Sequence, residues 1–286
     1  MGRLGSRIHA LPESLALRVF VDAGGRAAEN RVWGGLAIVD DFEAAWLDRT
    51  MHGLKARHAD LCLPSGELKG AELTDDEVRN LGRRIKDEDH RVLFWANWFR
   101  AATDPRMATL GKKAVDFLRE VRADHYRLDA MEINNRYDRM AIFLENLKGI
   151  NRHKVVSTLA HLGWLMEELK LRSLGPQLRS VSVVLDREDI PLTRDCAEFL
   201  RLFLVPSLQA VGMSARITWR SLREAPGTGA IMVEPDADSR TYSGLQFVDI
   251  LLQGVQRGLP GYSRRRKGGH TNTKKERPCQ ITPPES

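Results

Sequence analysis

The order of periodicities along the chain constrains its fold more than any other feature. Three short runs in residues 1–103 have the length and the β-branched and aromatic content of strands: Leu17–Val21 (LRVFV), Arg31–Val39 (RVWGGLAIV) and Arg91–Phe99 (RVLFWANWF). Residues 104–172 instead carry helical spacing and a single proline, Pro105. That block predicts about three helices, among them Lys112–Arg122 and His153–Leu171. Strand character returns at Val181–Leu185 (VSVVL) and Ser214–Arg220, alternating with helical stretches at Thr193–Val205 and Gly244–Arg257. Strands, a helical block, then strands alternating with helices predict an α/β or α+β domain with a mixed sheet flanked by helices.

Local signals refine this order. Residues 1–16 read as a loose lead-in. Ala23-Gly24-Gly25-Arg26 predicts a hairpin between the first two strands. Helical spacing runs from Phe42 to His58, with Ala45, Trp46, Leu47, Met51 and Leu54 on the apolar side. Thr74 precedes Asp75, Asp76 and Glu77, and Arg83, Arg84 and Lys86 follow, so an N-capped helix with complementary end charges is expected. Residues 223–242, rich in Gly, Pro, Asp and Ser, read as a loop, and Ser243 as the cap of the last helix.

Several classes are excluded or disfavoured. No run of about 18 uncharged apolar residues predicts a membrane span, and the first residues lack the apolar core of a signal peptide. The three cysteines, Cys62, Cys196 and Cys279, form no C-x-x-C pair and no zinc spacing, which predicts a reducing, cytoplasmic setting. P-loop, dinucleotide-binding, nucleophile-elbow and H-E-x-x-H motifs do not occur.

The charge is uneven. The chain carries a net +6, of which +5 falls in residues 258–286 through Arg264, Arg265, Arg266, Lys267, Lys274, Lys275 and Arg277 against Glu276 and Glu285. With Gly-Gly and several prolines, this stretch reads as a flexible basic C-terminal tail. Such an arm attracts phosphate backbones through counterion release. A solubilising tail without a partner has the same composition.

Four acids occupy unusual positions. Asp22 closes LRVFV, Asp186 closes VSVVL, Glu67 sits in a short polar loop, and Asp249 lies among Leu245, Phe247, Val248, Ile250, Leu251 and Leu252. An ionised carboxylate in an apolar setting is costly without a compensating cation. Four of them converging on one point would need divalent metal, and hard oxygen ligands suit Mg²⁺ or Mn²⁺. Taken singly, each acid has a plainer role. Asp22 and Asp186 could be turn residues, Glu67 a surface carboxylate, and Asp249 part of a polar edge with Gln246, Gln253 and Gln256. A competing arrangement is the E-x-K spacing of Glu67 and Lys69, in which Lys polarises the attacking water. It needs an upstream acid at a strand bend, and the available residue, Asp60, follows a helix.

Five blocks, FVDAGG (20–25), GGLAIVDD (34–41), ELKGAEL (67–73), VVLDRED (183–189) and SGLQFVDILLQGVQR (243–257), resemble the DUF3800 family. Its most specific marks are two strands ending in Asp and a last helix carrying L-Q-x-x-D, here Leu245, Gln246 and Asp249. The resemblance implies a ribonuclease H-like fold, with residues 1–103 and 173–257 as its two halves, 104–172 as a helical insertion or cap, and 258–286 as the tail. It implies that Asp22, Glu67, Asp186 and Asp249 bind metal, and that Lys69 and Gln246 orient the site or the substrate. One position departs: the family often has Glu after its first Asp, where this chain has Ala23.

The expected function is a Mg²⁺- or Mn²⁺-dependent nuclease hydrolysing phosphodiester bonds of DNA or RNA at a carboxylate two-metal site. The tail would hold the phosphate backbone, and the family likeness points to a bacterial defence system or mobile element. The alternative is a non-catalytic subunit that binds nucleic acid or protein on the same fold. A protein partner or a homo-oligomer is compatible with either.

Overall fold

The computed structural model describes residues 15–24, 30–38, 41–87, 92–100, 105–120, 128–147, 149–171, 174–187, 194–213, 230–260, 262 and 279–280. Strand β1 (Leu15–Gly24) pairs antiparallel with β2 (Asn30–Ile38), Phe20 opposite Leu36. This is the expected hairpin. Strand β3 (Val92–Arg100) pairs antiparallel with β2. On the other side of β1, β4 (Leu178–Asp186) pairs parallel, with Val21 opposite Leu185. Strand β5 (Ile231–Ala237) lies parallel to β4, and the two-residue β6 (Cys279–Gln280) pairs antiparallel with β3. The sheet order is β5-β4-β1-β2-β3-β6. The chain is thus α/β, with three parallel strands on one side of the sheet.

Helices cover both faces. α1 (Asp41–Arg57), α2 (Asp75–Asp87) and α7 (Ser243–Gln256) lie on one side. α3 (Pro105–Glu120), α4 (Leu128–Asn146), α5 (Gly149–Leu171) and α6 (Arg194–Ala210) lie on the other. Alternation along the strands divides the side chains between two cores. Val19, Val21, Val183 and Leu185 pack with α3–α6, whereas Phe20 and Val184 pack with α1, α2 and α7. The helical stretch expected as an insertion therefore supplies much of the layer that closes one sheet face, sharing its core with β1 and β4. Helix α7 approaches β1 closely, since a Cβ on Gly244 would lie 2.4 Å from the Phe20 ring.

Thr74 caps α2 as expected. Its hydroxyl donates to the Glu77 carboxylate at 2.7 Å and accepts the Glu77 N–H at 3.4 Å, while its own N–H donates to the same carboxylate at 2.9 Å. This reciprocal pairing is a capping box.

Three local expectations are corrected. The 223–242 stretch is not wholly loop, because Ile231–Ala237 forms β5. Its IMVEPDA sequence conceals the strand: Pro235 cannot donate to a ladder and is tolerated only where pairing is irregular or at an edge. The register against β4 indeed shifts between Val184 and Asp186. Second, Tyr242 rather than Ser243 occupies the cap position of α7, and it makes no side-chain cap bond. Third, the tail begins as packed structure. Leu259 and Tyr262 are buried, and the Tyr262 hydroxyl donates to the Val78 carbonyl at 2.7 Å. The tail cations Arg264, Arg265, Arg266, Lys267, Lys274 and Lys275 lie outside the described residues, as do the expected strand at 214–220 and the turn at 25–29. No helix among the described residues is long and apolar enough to cross a membrane.

Candidate active site

The two strand-closing acids come from neighbouring parallel strands. Val21 sits opposite Leu185, so Asp22 and Asp186 follow side by side at the C-terminal ends of β1 and β4. By alternation they share the face of Phe20 and Val184, the face that α7 covers. Ligand sites in open α/β sheets are found at this end of parallel strands.

Glu67 and Lys69 reach the same place from the segment before α2. That segment is held against α7 through its main chain. The Leu68 N–H donates to Gln246 Oε1 at 3.3 Å, and the Gly70 N–H donates to Asp249 Oδ2 at 2.7 Å. Further along, Arg257 donates to the carbonyls of Leu73 at 2.7 Å, Ala71 at 2.9 Å and Gly70 at 3.2 Å. Gln246, Asp249 and Arg257 fall on one stripe of the helix. The polar edge of α7 thus faces the Glu67–Leu73 segment, which settles the alternative of a solvent-facing stripe.

Gln246 also reaches the turn after β5. Its Nε2 donates to the Ser239 carbonyl at 2.6 Å, and the Ser239 hydroxyl donates to Glu67 Oε1 at 2.6 Å. The side chain of Gln246 is only 1% exposed, so it ties together two segments and α7 from inside the core. Ser239 was not foreseen, because one serine in a Gly-, Pro- and Asp-rich stretch carries no periodic or motif signal. Asp238 and Arg240 pair at the same turn, and Arg240 holds the Asp238 carboxyl down at about 2.

Lys69 stands among all four acids. Its Nζ lies 2.5 Å from Glu67 Oε1. Burial opposes its charge, but the hydrogen bond to Glu67 and the charges of Glu67, Asp249 and Asp22 raise its pKa above the ordinary lysine value. Burial raises Asp186 from 3.8 to about 6; Lys69 and the Arg187 N–H pull it back, and Glu67 and Asp249 push it further up. Asp249 is likewise raised by burial against the opposing Gly70 N–H and Lys69. Glu67 behaves differently: burial pushes it up, but hydrogen bonds from Lys69 and Ser239 outweigh this and leave it below the usual value. Two carboxyls displaced upward beside one displaced downward is a pattern met at functional sites.

Carboxylate oxygens are the hard donors a divalent cation prefers, and here they come from four separate segments. Among the described residues, no three His, Cys, Asp or Glu side chains stand close enough together to hold one ion as they are now arranged. Asp60, the acid needed by the E-x-K arrangement, lies exposed in the turn after α1. The acids whose charges act on Lys69 are instead Glu67, Asp249 and Asp22.

Replacing Gln246 by Leu should orphan the buried Leu68 N–H and the Ser239 carbonyl. Each buried unsatisfied group costs about 1–3 kcal/mol, so a loss of about 2–4 kcal/mol is expected in urea unfolding. Gln246→Glu keeps the acceptor for the Leu68 N–H but sets a buried carboxyl against the Ser239 carbonyl, so it should not recover the loss.

The chain matches no protein-family model and no curated protein.

Proposed function

We propose that this protein is a divalent-metal-dependent nuclease, hydrolysing phosphodiester bonds of DNA or RNA at the carboxylate cluster. The observation that carries the reading is that Lys69, in contact with Glu67, also feels the charges of Asp22, Asp186 and Asp249, acids brought from β1, the loop before α2, β4 and α7. The strand order, with an antiparallel β1-β2-β3 meander and parallel β4 and β5 beyond β1, supports a ribonuclease H-like fold. So does the likeness of the five sequence blocks to the DUF3800 family, with Ala23 as the departure.

Asp22 and Asp186 would hold Mg²⁺ or Mn²⁺ from adjacent strand ends, with Glu67 and Asp249 completing the ligand set. Bound divalent ions supply Lewis acidity, lowering the pKa of an attacking water and offsetting charge on the leaving oxygen. The remaining work belongs to the chain. Gln246 and Ser239 orient Glu67, and the Gly70 N–H fixes one oxygen of Asp249. Lys69 supplies a cation beside the anionic substrate, and the basic stretch 264–275 would engage the phosphate backbone without reading bases.

Lys69 also favours a second reading. An ammonium seated on Glu67 offsets part of the cluster's charge without any ion, which suits a non-catalytic nucleic-acid- or protein-binding subunit. Labelled single- and double-stranded DNA and RNA, incubated with Mg²⁺ or Mn²⁺, separate the two. Metal-dependent cutting that falls at least about 100-fold in both Asp186→Ala and Asp249→Ala is the expected result. Cutting that survives Asp249→Ala would move the chemistry to Glu67 and Lys69. Salt-sensitive binding without cutting would favour the binding subunit.

A further inference from the structure

We propose that α4 and α6 act as one conformational unit, in which Tyr137 supplies from α4 the hydrogen bond that Pro206 removes from α6. The inference is independent of what the carboxylate cluster does.

Proline has no N–H, and its ring crowds the carbonyl four residues earlier. Pro206 sits inside α6, so the carbonyl it leaves without a helical donor is that of Leu202. That carbonyl is the one the Tyr137 hydroxyl reaches, donating at 2.9 Å. The next carbonyl, that of Phe203, accepts the Ser207 hydroxyl at 2.8 Å. The helix continues beyond the proline, and the Val211 N–H donates to the Ser207 carbonyl at 3.2 Å. The two carbonyls that face the interruption are thus both answered, one from α6 itself and one from a neighbouring helix.

Water cannot take the place of Tyr137, because Leu202 and Tyr137 are both 0% exposed. A buried carbonyl without a donor and a buried phenol without an acceptor are each costly, and one bond here settles both. Burial, helped by the charge of Glu198 and opposed by that of Arg136, pushes the Tyr137 hydroxyl above the ordinary tyrosine value. The phenol therefore stays protonated and keeps its role as donor. The same face carries a second tie. Glu198 stands one helical turn before Leu202, Arg136 precedes Tyr137, and their largely buried side chains meet at 2.5 Å. Leu200, Leu204 and Leu208 of α6 lie in one core with Val183 of β4 and Val233 of β5. Helix α4 thus does more than cover the sheet: it completes the hydrogen bonding of a helix that packs on β4 and β5.

A double-mutant cycle on the full chain tests this. Urea unfolding is measured for wild type, Tyr137→Phe, Pro206→Ala and the double variant, with Tyr262→Phe in both backgrounds as control. In the wild-type background Tyr137→Phe should raise the unfolding equilibrium constant about tenfold, the effect of orphaning one buried carbonyl. In the Pro206→Ala background the main-chain N–H is restored, and the same change should raise it no more than about threefold. Tyr262→Phe removes a buried hydroxyl that donates to the Val78 carbonyl of α2, a helix without proline, and should cost the same in both backgrounds. A Tyr137→Phe penalty that is equal in the two backgrounds overturns the proposal. Amide hydrogen exchange gives a second readout that needs no alanine variant. In Tyr137→Phe the amides of residues 207–210 should accelerate by a larger factor than those of α2, and an equal factor in the two helices overturns the proposal as well.

Discussion

Asp186→Asn is expected to be more stable than the wild-type protein above pH 6 while losing the activity proposed for it. Burial raises this carboxyl from 3.8 to about 6 in the folded chain. A folded-state pKa above the unfolded one means that the folded protein holds the proton more tightly. The carboxyl therefore penalises folding little below about pH 4, increasingly between pH 4 and 6, and fully above pH 6. Asn removes the ionisation and with it the penalty. Each tenfold change in proton affinity is worth about 1.4 kcal/mol. Solvent screening of this partly exposed group reduces the gain to roughly 1–2 kcal/mol. Urea unfolding of both proteins from pH 4 to 8 should show curves that meet at the acid end and diverge upward. A difference that stays constant across that range would remove the ionisation of Asp186 as its cause. A gain in stability bought with lost function is the usual mark of a strained site.

Gly70→Ala and Gly53→Ala should have effects of opposite sign. A Cβ on Gly70 would lie 2.7 Å from Ile250 Cα, 2.8 Å from Gln253 Cγ and 3.0 Å from the Asp249 carbonyl oxygen. Two of those three contacts are α7 backbone, which cannot give way cheaply. The loop must retreat, lengthening the Gly70 N–H bond to Asp249 and shifting Glu67 and Lys69 with it. Overpacking of this kind costs about 1–3 kcal/mol, and a displaced carboxylate cluster should lose Mn²⁺ affinity in parallel. Gly53 lies inside α1, and a Cβ there meets nothing within 4 Å. Alanine at that position should stabilise by about 0.5–1 kcal/mol through helix propensity, leaving the cluster untouched. Unfolding and Mn²⁺ titration of both variants check the pair. A Gly70→Ala protein with wild-type metal affinity would show that the loop-to-α7 contact does not position the acids.

Where local periodicity and tertiary role coincide, the fold was legible in the sequence. LRVFVD and VSVVLD are short apolar runs closed by Asp, and they form adjacent parallel strands whose terminal acids share one face. Thr74 announced its helix through Glu77 three residues later. Strand β5 was not legible, because Glu234, Pro235 and Asp236 break the alternation where its pairing with β4 is irregular. The four acids could be singled out, since each sits where charge is costly. Their convergence could not be read, because nothing local links Gly70 to Asp249 or Ser239 to Glu67. Gln246 was singled out only through the family likeness; its own spacing made it one more polar residue on a helical stripe. Its bridging of Leu68 and Ser239 exists only once three distant segments have packed.

The docking of α7 also has a consequence for synthesis on the ribosome. Asp22 emerges roughly 230 residues ahead of Asp249, which at about 5–20 residues per second is between about 10 and 45 seconds. During that interval the nascent chain can form the β1–β2 hairpin and, once β4 has emerged, the β1–β4 pair, but Phe20 still lacks the cover that α7 brings. The carboxylate cluster therefore comes into being in one late event, and a translating chain stalled before α7 would carry an open apolar sheet face for chaperones to bind, with its chemistry still unassembled.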